Sequence, residues 1–251
     1  MHSILLALTA FGCILAGIAV AILLRRALPE HHLNDNAKDV VRLGTGLIGT
    51  IAALVLGLLI ASAKSSYDTQ SAQVRQITAN AILLDLVLAQ YGPEARPARE
   101  ALRRSVVGLA DRVWLDGASH SHGAFMVSEE GEGLYGRVQA LQPNGEAQRF
   151  LQARAIQAVT DLAQTRLLLF VQKGEGLPMP FLAVLVFWLT IIFLSFTLFA
   201  KPSPIVIGAL TIFALSATGA LYLILELSQP FSGLLQISNE PLRNALLPLG
   251  P

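Results

Sequence analysis

Four stretches of the chain contain no charged residue, and they constrain the fold more than any other feature. They are residues 4–24, 43–63, 177–200 and 205–225. Each is about 20 residues long, the length that a helix needs to cross the hydrocarbon layer of a membrane. Apolar helices in the core of soluble proteins seldom exceed about 14 residues. The sequence therefore predicts an all-α membrane protein with four transmembrane helices.

The charged residues concentrate between the second and third of these stretches. Residues 64–176 hold 12 of the 18 Lys and Arg and 12 of the 17 Asp and Glu, a mixture typical of a solvated helical domain. We predict four regions: a first pair of membrane helices (1–63, with a short loop 25–42), an extramembrane helical stalk (64–176), a second pair of membrane helices (177–228) and a tail (229–251). The tail alternates apolar and polar residues around several prolines, which favours an interfacial or re-entrant segment.

A heptad pattern follows the second apolar stretch. Its members are separated by three or four residues in turn: Val74, Ile77, Ala81, Leu84 and Leu88. This spacing predicts that the second membrane helix continues without a break to Tyr91, before Gly92 and Pro93 end it. The seam has two candidate partners, a helix of the same chain or a neighbouring subunit. A second seam precedes the third membrane helix, and a basic amphipathic helix is expected over 94–115. The second seam comprises Ile156, Val159, Ala163, Leu167 and Phe170.

The distribution of Lys and Arg predicts an orientation in the membrane. Four basic residues lie in the loop 25–42 and Lys201 lies in the loop before the fourth helix, whereas the N-terminal tail has none. Short loops rich in Lys and Arg stay in the cytoplasm. We therefore expect the stalk and both termini outside the cytoplasm.

No motif in the sequence predicts an enzyme. A phosphate-binding loop, a dinucleotide fingerprint and a nucleophile elbow are all missing, and no cofactor is expected. The histidines are weak metal candidates, because they lack an established ligand spacing: His31, His32, His120 and His122. A net charge of +1 gives no reason to expect nucleic acid as a partner.

The second apolar stretch carries the best candidate for a functional site. Small residues recur there every three or four positions, which permits close helix packing within one subunit or a narrow pore wall between subunits. The candidates nearest a pore axis are Thr45, Gly49, Thr50, Ala53, Gly57 and Ile60. Leu54, Leu58 and Ile60 are candidates for a hydrophobic gate, and Lys64, Asp68 and Glu226 for charges at the pore mouth. The fourth membrane helix, with Ser216 and Thr218, is the second choice as a pore lining.

Several stretches resemble the bacterial bestrophin-like domain family. They are "LPEHHLND", "VVRLGTGLIGTIAALVLGLLIASAKSSYD", "YGPEARPARE", "QPFSGLLQIS" and "PLRNAL". The resemblance implies a distant similarity to bestrophins, pentameric anion channels whose second membrane helix lines the pore and continues into water. This chain differs from bestrophins in having no aromatic residue within 43–63 and no acidic calcium loop.

Together, the residues and the resemblance predict a homo-oligomeric ion channel in the inner membrane of a bacterium. The resemblance suggests a pentamer, and the expected partners are other copies of the chain, the lipid bilayer and small inorganic ions. The alternative is a non-conducting structural or regulatory membrane protein whose stalk binds a partner or senses the cell envelope.

Overall fold

The computed structural model describes residues 2–27, 35–114, 129–173, 179–200 and 203–244. Within these ranges the chain forms α-helices joined by short connections, and no strand is present. The helices are α1 (His2–Ala27), α2 (Asp35–Tyr91), α3 (Arg96–Trp114), α4 (Glu129–Gln139), α5 (Glu146–Lys173), α6 (Met179–Phe199), α7 (Pro204–Leu227) and α8 (Glu240–Asn244). The predicted all-α fold is confirmed.

The helices belong to two compact units. Unit 1 comprises Met1–Ser66 and Leu177–Ser228, and unit 2 comprises Tyr67–Gly176 and Gln229–Pro251. Four helices are long and apolar enough to cross a membrane, as predicted, and the chain is a membrane protein. The candidate spans are Ser3–Ala27, Lys38–Tyr91, Met179–Phe199 and Pro204–Leu227.

Apolar side chains fill the interior of unit 1. One cluster joins Ala52 and Leu59 of α2 to Leu185 of α6 and to Leu221 and Ile224 of α7. A second cluster is centred on α1, where Ile14 and Ile18 pack with Phe193, Leu210 and Ala214. These side chains are buried against one another and not against lipid. Their close packing sets the relative positions of the four helices.

A glycine permits the close contact of α1 with α6. A Cβ atom added to Gly17 would lie 2.8 Å from Cγ2 of Thr190 and 3.3 Å from the carbonyl oxygen of that residue. The Thr190 hydroxyl donates a hydrogen bond of 2.8 Å to the carbonyl of Val186, which favours the present side-chain rotamer. The neighbouring methyl group therefore has little freedom to move away from a larger residue at position 17.

The polar ends of α1 and α6 are joined by an arginine. The Arg25 side chain donates to the carbonyl oxygen of Leu198 at 3.2 Å and also to that of Ala200. A cation at the C-terminal end of a helix satisfies carbonyl groups that lack partners within the helix and interacts favourably with the helix dipole. The next helix begins at Pro204, with Ser203 as its N-cap accepting from the Val206 amide.

Substituting Gly17 with Ala should lower the stability of unit 1, although Ala favours a helix more than Gly does. The added methyl group clashes with Thr190, and overpacking of this kind costs about 1–3 kcal/mol. Thermal unfolding in detergent, followed by circular dichroism, should show a lower midpoint for Gly17→Ala than for the wild type. Gly12→Ala on the same helix is the matched control, because no atom lies within 4 Å of its added Cβ. Equal midpoints for the two variants would contradict the close contact.

Unit 2 is a helical bundle around the predicted heptad seam. Val74, Ile77, Ala81, Leu84 and Leu88 are each no more than 3% exposed. They pack in one apolar core with buried residues of the same chain: Leu102, Val106 and Leu109 of α3, and Val159 and Leu162 of α5. The seam therefore packs on helices of the same chain, the first of the two partners that the sequence left open; a further contact with a neighbouring subunit stays a prediction.

Polar contacts tie the helices of unit 2 together. Arg99 of α3 makes a two-pronged ion pair with Asp85 of α2, at 2.7 and 3.0 Å. The hydrogen bond to Asp85 is the main cause that raises the pKa of Arg99 above its ordinary value. The Arg166 side chain of α5 donates to the Ser105 hydroxyl of α3 at 2.8 Å.

Helix α2 ends where the sequence predicted, at Tyr91. Gly92 has a φ of 124°, a conformation that residues with a side chain rarely adopt, and a short 3₁₀ turn follows over Pro93–Ala95. The Gln148 side chain donates to the carbonyl of Tyr91 at 3.0 Å and so satisfies one end of the helix. Leu102, Val106, Leu109 and Val113 of α3 are buried, in agreement with the predicted amphipathic helix.

The predicted seam before the third membrane helix is wrong in part. Ala163 and Leu167 are exposed, whereas Leu162 and Leu169 are buried in the core of unit 2. The exposed pair and the buried pair both have apolar side chains at helical spacing. The hydrophobic pattern of the sequence alone therefore does not show which face of α5 packs inward.

The tail after α7 belongs to unit 2. Phe231, Ile237 and Leu242 are buried in its core, and the Trp114 indole donates to the carbonyl of Ile237 at 2.8 Å. The Trp114 ring also meets the Phe231 ring edge to face, with centroids 5.4 Å apart. An interfacial or re-entrant place for this tail in the membrane stays a prediction.

Truncating the seam should destabilise unit 2 from within. Leu84→Ala leaves a cavity in the core, and such changes cost about 2–5 kcal/mol. Leu86→Ala, two residues along the same helix, is the control because Leu86 is 55% exposed. Amide hydrogen exchange should rise across α3 and α5 in the first variant and stay near wild type in the second. Faster exchange in both, or in neither, would argue against an internal seam.

Candidate functional site

The part of α2 in unit 1 has a buried face and an exposed face. At 100° per residue, Thr45, Ala52, Leu59 and Ala63 fall within an arc of about 40°. Each of these four residues is at most 8% exposed. This narrow face attaches the helix to the rest of unit 1, and the described residues leave most of the circumference of the helix uncovered.

Most of the predicted pore-lining residues share one part of the uncovered surface. Gly49, Ile60, Ala53, Gly57 and Thr50 lie within an arc of about 100°. Four of them are exposed and Gly49 is half-buried. A Cβ atom added to Gly49 or Gly57 would meet no atom within 4 Å. We call these five residues the small-residue face; its two glycines are not required for close packing against another helix that the structure describes.

Thr45 does not share this face. It is 7% exposed and lies with Ala52 and Leu59 on the buried side of α2. The spacing of seven residues between 45, 52 and 59 is the physical reason, since seven residues are close to two helical turns. The position of Thr45 therefore does not support a place next to a pore axis. Its seven-residue spacing from Ala52 and Leu59 could have predicted that it is buried with them.

The three gate candidates separate onto two surfaces. Ile60 is 40% exposed and lies within the small-residue face. Leu54 and Leu58, at 70% and 69% exposure, lie about 90° and 130° around the helix from the centre of that face. The exposed side chains of Leu47 and Ile51 adjoin them. These leucines form a surface suited to lipid or to a neighbouring helix.

The charged candidates for a pore mouth also differ in their surroundings. Lys64 and Asp68 of α2 are exposed. Glu226 is only 3% exposed and lies in the last turn of α7, one turn after Tyr222. The Lys64 position continues the small-residue face along α2, whereas Glu226 is enclosed.

The fourth membrane helix offers less as a pore lining. Thr218 is 7% exposed, and its hydroxyl donates to the carbonyl of Ala214 at 2.8 Å. Ser216 is exposed, and the large apolar side chains of Ile212, Phe213 and Leu215 next to it are also exposed. The exposed polar surface of this helix is therefore small and is interrupted by large apolar side chains.

A polar feature that the sequence did not single out is the ion pair of Asp85 with Arg99. The two residues are 14 apart in the sequence, across the turn between α2 and α3. The sequence did contain a sign of this ion pair, because Asp85 lies next to Leu84 of the apolar seam and a buried acidic group needs a partner.

The histidines proposed as weak metal candidates, His31, His32, His120 and His122, lie outside the described residues. Among the residues that the structure does describe, no group of three or more His, Cys, Asp or Glu is arranged to hold a metal ion.

The comparisons with known proteins give one match. The Bestrophin-like domain family, through its sequence model, matches residues 12–242 of this chain. No curated protein and no solved structure matches it. The matched range includes the first membrane helix from residue 12 onward, the other three membrane helices and nearly all of unit 2.

Proposed function

Since the chain belongs to the Bestrophin-like domain family, we propose that it forms a homo-oligomeric ion channel whose pore is lined by α2. The observation that carries the proposal is the small-residue face, which is uncovered by the chain's own helices. Small side chains and a hydroxyl group around an axis leave room for a narrow water path. Several copies are required to enclose it, and five is the number that the resemblance to bestrophins suggests.

The packing of unit 1 supports a path between subunits and not through one of them. The described helices fill its interior with apolar side chains, among them Ile14, Leu185, Leu221 and Ile224, each at most 1% exposed. Ions do not cross such a core, because a desolvated charge in a medium of low polarity is very costly. An exposed face of a membrane helix is then the place for a conducting path.

Ile60 is the proposed hydrophobic gate. It is the branched apolar residue on the small-residue face, one turn of helix from Gly57 and one turn before Lys64. A ring of such side chains closes a narrow pore by excluding water. Lys64 beyond it would supply a ring of positive charge at one mouth. The proposed location is the bacterial inner membrane, with the two short loops in the cytoplasm, and no catalytic activity is assigned.

A second candidate function is a non-conducting membrane protein that binds a partner through unit 2. The observation that favours it is an apolar strip on α2 formed by Ile82, Leu83 and Leu86, which are 39%, 39% and 55% exposed. Such residues on a solvated helix are typical of an interaction surface. This candidate predicts no ion flux at all.

Ion flux in liposomes tests the channel and distinguishes the two candidates. Purified protein should pass ions, measured separately for chloride and potassium. Single cysteines would then be introduced in a Cys13→Ala background, because the native Cys13 is exposed. A water-soluble thiol reagent should block most of the flux through Ala53→Cys and Gly57→Cys.

The matched controls are Leu54→Cys and Leu58→Cys, on the neighbouring surface of the same two turns. The reagent should leave their flux nearly unchanged, since the pore water does not reach them. If the reagent blocked the ion flux equally at all four positions, the small-residue face would not be the pore lining. Absence of flux from correctly assembled wild-type protein would reject the channel in favour of the non-conducting candidate.

A further inference from the structure

A cavity lies between the start of α2 and the end of α6, entirely within unit 1. Its volume is about 460 Å³, within the range of small-molecule sites, which is roughly 300–1,000 Å³. It is lined by Lys38, Asp39, Val41, Arg42, Thr45, Ser195, Phe196 and Phe199. Of these residues, only Thr45 was predicted from the sequence to belong to a functional site, and it lies here and not on the small-residue face.

Two residues that are largely buried bring hydroxyl groups to this cavity. Thr45 is 7% exposed and Ser195 is 8% exposed. Neither hydroxyl makes a hydrogen bond with any residue that the structure describes. The hydroxyls of Thr190 and Thr197 on the same helix as Ser195 donate instead to the carbonyl four residues earlier. Both hydroxyl oxygens are accessible at the cavity, so they are available to hydrogen-bond a group that enters it.

The charges around the cavity favour an anionic group. Lys38 and Arg42 are one helical turn apart on α2, and both side chains are exposed at the cavity. Asp39 is the only acidic side chain among the lining residues that the structure describes, so the described lining carries one net positive charge. The Arg guanidinium matches the geometry of phosphate oxygens with two parallel hydrogen bonds, and Lys adds a point charge.

The position of the cavity favours a lipid as the carrier of the phosphate. The charged residues Lys38 and Arg42 precede the charge-free part of α2, and Phe199 is the last residue of α6. Phe196, one turn earlier, is 53% exposed on the outer surface of the helix. Aromatic and basic residues at the ends of membrane helices lie at the level of the lipid headgroups.

We propose that this cavity binds the headgroup of an anionic phospholipid. Arg42 and Lys38 hold the phosphate group, the hydroxyls of Thr45 and Ser195 donate to headgroup oxygens, and Phe196 contacts the start of an acyl chain. A choline headgroup is disfavoured, because its fixed positive charge is placed next to Arg42 and Lys38. The site is independent of whether α2 lines a pore.

Native mass spectrometry of the full chain in detergent, titrated with phosphatidylglycerol, tests the site. The wild type should bind phosphatidylglycerol about tenfold more tightly than phosphatidylcholine, and Arg42→Gln combined with Thr45→Val should remove that preference. Lys38→Gln with Ser195→Ala is a second, independent pair with the same expected loss. Arg26→Gln with Thr211→Val is the matched control, since Arg26 and Thr211 are exposed and do not line the cavity.

The outcomes separate the alternatives. A preference that survives in both cavity pairs overturns the site, and so does an equal loss in the control, which would show only a dependence on surface charge. Inorganic phosphate is added as a competitor in a parallel titration. If millimolar phosphate binds the wild type and displaces the lipid, while the lipid shows no preference over phosphatidylcholine, the ligand is a free phosphate and the lipid assignment is wrong. Unchanged helical circular dichroism in the variants would exclude unfolding as the cause of a loss.

Discussion

The apolar interior of unit 1 is the constraint on which the other features of this protein depend. Helices in a membrane must satisfy their backbone groups internally, so their relative positions are set by side-chain packing. Here, Gly17 lets α1 approach Thr190 of α6 closely, and leucine and isoleucine residues of α6 and α7 fill the rest. The packed clusters that the structure describes in the interior of unit 1 are apolar. Any polar or small-residue surface of functional use must therefore lie on the outside of the unit or at its ends.

Helix α2 packs against the rest of the chain through two different sequence patterns, one in each unit. In unit 1 it is attached by a narrow face whose members include Ala52 and Leu59, and it leaves glycine and alanine uncovered. In unit 2 it is attached by a regular heptad seam, with Leu84 and Leu88 fully enclosed by α3 and α5. The first pattern keeps a surface available to other copies of the chain, and the second makes a self-contained bundle. This division supports the proposal that assembly involves the membrane part of α2.

Features set by local chemistry could be predicted from the sequence. Charge-free stretches fixed the four membrane helices, and Gly92 with Pro93 marked the end of α2. Features that depend on the register between helices could not. Leu162 and Leu167 of α5 have equivalent spacing and hydrophobicity, yet only Leu162 is buried. Ser195 and Arg42 meet at one cavity only because the start of α2 lies beside the end of α6, and the 152 positions between them give no local sign of it.

An image reconstruction of the assembled protein by electron microscopy, in a lipid nanodisc, measures most directly which surface of α2 faces the symmetry axis. The account predicts a ring of at least four copies in which the Cα atoms of Gly49, Ala53 and Gly57 are nearer the axis than those of Leu54 and Leu58. A particle with α2 on its outer rim, or a single copy with the small-residue face against lipid, would contradict it.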